Sequence, residues 1–370
     1  MILVVFFPSS LNLLDSFHDK RFFITKLNLV IFYTQGFLEK PKHQSSLFKD
    51  KTILITGGTG SLGQALTKRL LEMGPKAIRI FSRNESKQVE MENEIKDDRL
   101  RFFIGDVRDF QRLVKAVEDV DFVFHAAALK HVPKIEYNPF EAIKTNILGS
   151  ENIINACLTQ NVEKAVCVST DKAVSPLNIY GATKLLMEKL FVTANNYLNE
   201  EKYKTKFFGV RYGNVLGSSG SVVPLFIKQI KSKKKISVTD ASMTRFSITM
   251  SEALDFILHA TELGTGSEIF VPKLRAYSLL DVKEALFEML ENTGEEIIGI
   301  RPGEKLNETL INSEEIRYSW EIDNMYMISN PEIMKTYPKA EKIKNMKMYS
   351  SDSVDKIPRD ELKQLIKNLI

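Results

Sequence analysis

From Lys51 onward the chain alternates short apolar runs with longer stretches in which apolar residues recur every three or four positions. The short runs are TILIT (52–56), AIRIF (77–81), RFFIGDV (101–107), DFVFHAAA (121–128), KAVCVST (164–170) and KFFGVRYGNV (206–215). Each is rich in β-branched or aromatic residues and reads as a strand. Helical spacing fills the intervals: QALTKRLLEMG (64–74), residues 86–97, DFQRLVKAVEDV (109–120), PFEAIKTNILGSENIINACLTQ (139–160) and residues 180–198. Proline opens the longest of these, where a helix tolerates it. Strands that are apolar almost throughout are buried on both faces. The pattern therefore predicts an α/β fold, a Rossmann-type doubly wound parallel sheet with helices on either side. Ligands of such sheets bind beyond the carboxyl ends of the strands. Gly57, Ser82, Asp106, Ala126, Thr170 and Asn214 all fall there.

After about residue 217 the alternation breaks down. SVVPLFIKQIKSKKK predicts a helix with a basic end, whose lysines read as a solvated helix end. TRFSIT, SEALDFILHATEL and EIFVPK read as strand or loop, helix and strand, and RDELKQLIKNLI as a closing helix. The expected organisation is an irregular extension (1–46), a Rossmann domain (47–216), and a smaller substrate-binding lobe (217–370) partly interleaved with the sheet. Residues 329–357, rich in Lys, Pro and Ser, are expected to be loosely structured. The apolar stretches of the extension, MILVVFFP and LNLVIFY, fall well short of the roughly 20 residues of a membrane span. They also lack the marks of a signal peptide. No stable membrane insertion is expected, with a peripheral or partner-binding arm as the alternative to an irregular segment.

Composition narrows the partners. A net charge of +4 over 370 residues, with no long basic stripe, gives no reason to expect nucleic acid. Cys157 and Cys167 lie in apolar surroundings and suggest no disulfide, which fits a reducing, cytoplasmic compartment. No Cys/His cluster has metal spacing.

The glycine-rich turn TGGTGSLG follows the first strand and precedes a helix. Gly57, Thr59, Gly60, Ser61, Leu62 and Gly63 would let backbone approach a pyrophosphate at a helix N-terminus. The second strand ends in Phe81-Ser82-Arg83-Asn84. The acid that usually holds an NAD ribose is missing, and Arg83 with Lys87 suits a 2′-phosphate, so NADP is the expected cofactor over NAD. Asp106, at the end of the third strand, could accept from an adenine amino group or cap a helix over 108–118. Val107, Ala126 and Val215, near the ends of later strands, complete the expected cofactor contacts.

Tyr180 and Lys184 stand one helical turn apart, after Ser169 and Thr170 at the end of the fifth strand. Thr170 could bind a substrate oxygen, Tyr180 could act as a base with its pKa lowered by cationic Lys184, and Lys184 could also hold the cofactor ribose. Asp171 and Lys172, directly after Thr170, have no use in a plain alcohol oxidation.

Together GGTGSLG, HAAALKHVP, STDKA, YGATK, RYGNVLGS, MTRF and RPGEKLNE resemble the extended short-chain dehydrogenase/reductase superfamily. More narrowly they resemble the soluble inverting UDP-N-acetylglucosamine 4,6-dehydratases of bacterial pseudaminic acid synthesis, over roughly residues 47 to 370. The resemblance implies a lyase with tightly held NADP. The sugar is oxidised at C4 with Tyr180 as base, Lys172 takes the C5 proton, and Asp171 helps the C6 hydroxyl leave as water. Hydride then returns to C6, and C5 is reprotonated on the other face. Retaining relatives carry Asp-Glu where this chain has Asp171-Lys172. A lysine base must be neutral part of the time, and a buried site beside Lys184 is expected to depress its pKa. By the same resemblance Thr170, Tyr180, Asn214, Val223, Thr239, Arg245, Arg301 and Glu304 match substrate-binding positions, and Lys130 lies near the rim. Homo-oligomers, often hexamers, are implied as well. The rivals are a retaining dehydratase, a C4 epimerase of a UDP-sugar, a relative opening N-acetylfucosamine synthesis, and a non-catalytic NADP-sensing regulator.

Overall fold

The six apolar runs form parallel strands β1 (Thr52–Thr56), β2 (Ala77–Ser82), β3 (Leu100–Ile104), β4 (Phe122–His125), β5 (Lys164–Val168) and β6 (Lys206–Val210). A computed structural model supplies this arrangement and describes residues 46–197, 199, 201–218 and 220–370. The expectation for residues 1–45 lies outside them. The strand order β3-β2-β1-β4-β5-β6 is that of the doubly wound fold. Helices α1 (Ser61–Leu71), α2 (Glu85–Ile95), α3 (Phe110–Val117), α4 (Val132–Tyr137), α5 (Pro139–Ala142), α6 (Gly149–Gln160) and α7 (Ile179–Ala194) connect the strands.

Alternation along each strand builds two cores. Ile53 and Ile55 of β1 join Phe124, Val166 and Phe208 on one face. Leu54, between them, joins Val123, Ala165, Cys167 and Phe207 on the other. Each Val, Leu, Ile or Phe among them, taken wholly out of water, contributes about 1.5–3 kcal/mol. That is why these strands read as continuous apolar runs.

The later segments are α8 (Val222–Lys231), β7 (Ile236–Val238), β8 (Thr244–Ser247), α9 (Met250–Leu263), β9 (Ile269–Pro272), β10 (Arg275–Ser278), α10 (Leu279–Met289), β11 (Glu295–Ile297), β12 (Thr309–Ile311), β13 (Ser319–Ile322), β14 (Met325–Ile328), β15 (Glu341–Lys342), β16 (Tyr349–Ser350) and α11 (Arg359–Lys367). β9 pairs in parallel with β6, and β14, β13 and β15 follow antiparallel, so the sheet has ten strands among the described residues. α8, β7, α10 and α11 share a separate core around Phe226, Val238, Leu286 and Leu362. Among the described residues no helix is long and apolar enough to cross a membrane.

Three expectations need correction. Residues 329–357 are not loose: Tyr337, Tyr349 and Ile357 are buried, and β16 pairs with β12. Their apolar anchors are too widely spaced among lysines to show a period. The helix expected over 139–160 is broken by a π-helical segment, Ile143–Leu148. That segment faces Thr145 and Asn146 inward, and Asn146 accepts from Leu129 N at 2.8 Å and donates to Leu129 O at 3.0 Å, pinning the loop after β4. β6 ends at Val210 and not at 215; the next side chain, Arg211, is buried between the carboxylates of Glu188 and Glu315.

His125, at the end of β4, is wholly buried between Thr56 Oγ1 (2.8 Å) and Ser150 Oγ (3.0 Å). Burial, aided by Lys184, lowers its pKa to about 3. The folded state thus refuses a proton that the unfolded chain takes up below about pH 6.5. His125 contributes its full stability above that pH and loses it as pH falls toward 3, by about 1.4 kcal/mol per pH unit. Denaturant titrations across this range should show a flatter acid limb in His125→Gln than in the parent.

Candidate active site

At the carboxyl ends of β1 to β6 lies a cleft of about 590 Å³. Gly57, Thr59, Gly60, Ser61, Leu62 and Gly63 line one end of it. A methyl group at Gly63 would lie 2.5 Å from Gly58 Cα and O, so only glycine lets α1 start against this loop. No side chain caps the N-terminus of α1, which leaves its first N–H groups for a ligand. Ser82, Arg83, Lys87, Asp106, Val107, Ala126 and Val215 also line the cleft. The hydroxyls of Thr145 and Ser169, both among its lining, are buried without a hydrogen-bond partner. Free helix-end donors and two unspent hydroxyls fit a dinucleotide. Asp106 does not cap a helix; Asp109 caps α3 by accepting from Arg112 N, while Asp106 pairs with Arg108 (2.7 Å) and Arg83 (3.6 Å).

Where this cleft meets a second, the chemistry concentrates. Residues Asp171–Ala173 form a single 3-10 turn, with Thr170 capping it. The turn packs against α7 at Gly181, where a Cβ would come within 2.2 Å of Lys172 O. Asn178 caps α7 by accepting from Gly181 N at 2.8 Å, which fixes the first turn of the helix and with it Tyr180. Lys172 Nζ donates to Asp171 Oδ1 at 3.0 Å and to Asn214 Oδ1 at 3.2 Å, and Thr170 donates to Asp171 Oδ1 at 2.8 Å. Asp171 is fully buried and its Oδ2 has no partner. Lys184 Nζ donates to Val168 O at 2.7 Å.

The electrostatics differ from the sequence expectation. Burial raises the Tyr180 pKa to about 12, against the lowering influence of Lys172 and of a hydrogen bond with Thr170. The cation acting on Tyr180 is therefore Lys172, while Lys184, itself lowered to about 8 by burial, points to backbone. Lys172 is not depressed. Burial lowers its pKa, but the carboxylates of Asp171 and Glu308 more than reverse this, and it lies above the ordinary lysine value.

The second cavity, about 390 Å³, adjoins this point and is lined by Lys130, Thr170, Lys172, Tyr180, Asn214, Thr239, Arg245, Arg301 and Glu304 among others. Arg301 to Glu304 form the expected tight turn, closed by Glu304 N donating to Arg301 O at 3.0 Å. Asn178 Nδ2 donates to Gly303 O at 2.9 Å and so ties this turn to α7.

The sequence profile of polysaccharide biosynthesis proteins matches residues 53–330. The chain belongs to the polysaccharide biosynthesis protein family. One relative, the inverting UDP-N-acetylglucosamine 4,6-dehydratase of Campylobacter jejuni, is 47% identical over 83% of this chain and 94% of its own. A UDP-glucose 4-epimerase of Rickettsia bellii is 43% identical over 87% of this chain and 97% of its own. The X-ray structure of Pen from Bacillus thuringiensis superposes with a TM-score of 0.82 at 42% identity, covering 88% of this chain and 99% of that one. These likenesses agree with the resemblance to extended short-chain dehydrogenases/reductases carried by GGTGSLG, STDKA and RPGEKLNE.

In this member of the polysaccharide biosynthesis family, the fold brings all but two of the sequence-selected site residues to the two cavities. Asp171 is fully buried behind the lining formed by Thr170 and Lys172, both of which it bonds. Val223 has its side chain buried in the core beneath α8; its neighbour Val222 lines the second cavity instead. Sequence reasoning missed Glu308, Asn178 and Thr145. Glu308 stands in the quoted stretch RPGEKLNE, but nothing there shows that its carboxyl is buried beside Lys172. Asn178 could have been found as a helix cap just ahead of Tyr180.

Proposed function

We propose that this chain is an inverting UDP-N-acetylglucosamine 4,6-dehydratase, a hydro-lyase with tightly held NADP. The carrying observation is the Asp171–Lys172 pair, 3.0 Å apart, with Lys172 lining the second cavity beside Thr170, Tyr180 and Asn214, which line both. When bound, the nicotinamide dinucleotide supplies a reversible hydride acceptor and a positive ring near Tyr180. This chain's residues do the rest. Tyr180 takes the C4 hydroxyl proton, with Thr170 holding the oxygen. The C4 ketone acidifies the C5 hydrogen, and Lys172, once neutral, removes it. Asp171 assists departure of the C6 hydroxyl; its Oδ2 is buried and has no hydrogen-bond partner. Arg245 and Arg301 suit a diphosphate, and Glu304 a ribose.

The relative named an epimerase favours C4 inversion as the second reading. An epimerase returns hydride to C4 and leaves Asp171 and Lys172 without work. Incubation with UDP-N-acetylglucosamine, with no added reductant, separates the two. The dehydratase yields a product lighter by one water; unchanged mass would refute it.

NADP in preference to NAD rests on Arg83, half-exposed in the first cleft and 3.6 Å from Asp106. Arg83→Ser should weaken NADP roughly tenfold relative to NAD in a binding titration, the worth of about one charge-assisted contact. Equal losses for both would remove Arg83 from that role. Our reading places the activity in pseudaminic acid or related deoxy-amino-sugar synthesis, in the cytoplasm; the relative's named activity and the free, buried Cys157 and Cys167 support it. The exposed Tyr137 and Phe140 on α4 and α5 support a homo-oligomer.

A further inference from the structure

Lys172 is held by more than its neighbour in sequence. Across the second cavity stands Glu308, just before β12, on the segment that follows the Arg301–Glu304 turn. Its Oε1 lies 3.7 Å from Lys172 Nζ and 3.8 Å from Arg245 Nε. Its side chain is 5% exposed, and its Oε2 is buried with no hydrogen-bond partner. A carboxylate so placed depends on its two cations, since water does not reach it. The charged groups facing it are Lys172, Asp171, Arg245 and Lys305. Tyr180 faces Lys172 from α7.

This creates a problem for the reaction and points to its solution. A lysine between two carboxylates stays an ammonium, yet the base that takes a C5 proton must be an amine. Arg245 lines the second cavity beside Glu308 and, on the dehydratase reading, also meets the substrate's anionic diphosphate. A diphosphate drawing the Arg245 guanidinium toward itself leaves Glu308 buried with one close cation, Lys172. The cheapest relief is a proton moved from Nζ to the carboxylate.

Resting on the dehydratase reading, we propose that Glu308 is a positioning residue that accepts the Lys172 proton when substrate engages Arg245. The step balances. The Nζ–H bond breaks, its electron pair stays on nitrogen, and an O–H bond forms on Glu308. The amine then takes the C5 proton and returns to the ammonium form. The proton held on Glu308 is released as another reaches C5 from the opposite face, so the cleft's protonation is unchanged over a turnover. Glu308 thereby links occupancy of the nucleotide site to arming of the base, and an empty site keeps the base masked.

Glu308→Gln keeps the size and removes the proton acceptor; Glu308→Asp keeps the acceptor on a shorter arm. Holoprotein of each is assayed with UDP-N-acetylglucosamine in heavy water, following kcat, KM, deuterium entry at C5 and reduced cofactor by absorbance. The expected result for Gln is a kcat at least tenfold lower, KM within about threefold, loss of C5 exchange, and reduced cofactor building up because C4 oxidation is spared. Asp should restore part of kcat. Turnover by Gln equal to or faster than the parent overturns the proposal, because Glu308 would then only hold the base in check. A change in KM alone overturns it in favour of a plain substrate contact. Loss of bound cofactor in both variants also overturns it, assigning Glu308 to the fold. If the parent itself forms no dehydrated product, the dehydratase reading fails first; if the parent does and Gln matches it, this inference alone fails.

Discussion

Replacing Lys172 by alanine should lower turnover of UDP-N-acetylglucosamine about a thousandfold, within the range that a positioned general base contributes. The loss should be confined to the steps after C4 oxidation. Lys172 Nζ bonds Asp171 and Asn214 and faces Glu308 on the side of the second cavity, and the glycine-loop residues are not among its partners. Cofactor retention should therefore be unchanged, and reduced cofactor should appear on mixing with substrate while C5 exchange does not. Removing the ammonium also removes, from the empty site, the cation that lowers the Tyr180 pKa, so the pH dependence of C4 oxidation on first encounter with substrate should shift upward in the variant. Rapid-mixing absorbance across pH reads both effects. Retained turnover would take Lys172 out of the base role.

The second large effect is on stability. Arg211, wholly buried, donates through Nε and Nη2 to Glu188 at 2.9 and 2.6 Å, and through Nη1 and Nη2 to Glu315 at 2.9 and 2.8 Å. A further bond runs to Leu310 O at 2.8 Å. Glu188 lies one turn after Lys184 on α7, and Glu315 follows β12, so the guanidinium ties α7 and the end of β6 to the segment after β12. Arg211→Met leaves Glu188, itself fully buried, without a counter-charge. Breaking a buried pair in this way costs about 3–5 kcal/mol. Urea or thermal unfolding should show it, and a change under 1 kcal/mol would mean that water reaches Glu188. Adding Glu188→Gln should recover part of the loss, since the stranded charge is the larger share of the cost.

The sheet and the chemical residues were legible because each has a local signal. β1 to β6 are short apolar runs bounded by turns, and TGGTGSLG needs no partner to be read. Tyr180 and Lys184 share a face by spacing alone. What stayed hidden depends on contacts between distant segments. Glu308 is 136 positions from Lys172, and its burial arises only when the segment before β12 folds over the second cavity. The direction of the Lys172 shift was missed for the same reason: burial was foreseen, but not a second carboxylate strong enough to reverse it. The tail through Tyr337 and Tyr349 reads as polar, yet its few aromatic anchors find pockets against β9 and β12. Val223 was assigned by matching a position, and the helical period of α8 turns it into the core while Val222 faces the cavity.

The central claim is that Asp171 and Lys172 turn an oxidation site into an elimination site. The most direct test is magnetic resonance of the product formed from UDP-N-acetylglucosamine in heavy water. The account predicts a 4-keto, 6-deoxy sugar with deuterium at C5 and inverted configuration there. A sugar of unchanged mass, inverted only at C4 and carrying no deuterium at C5, would contradict it.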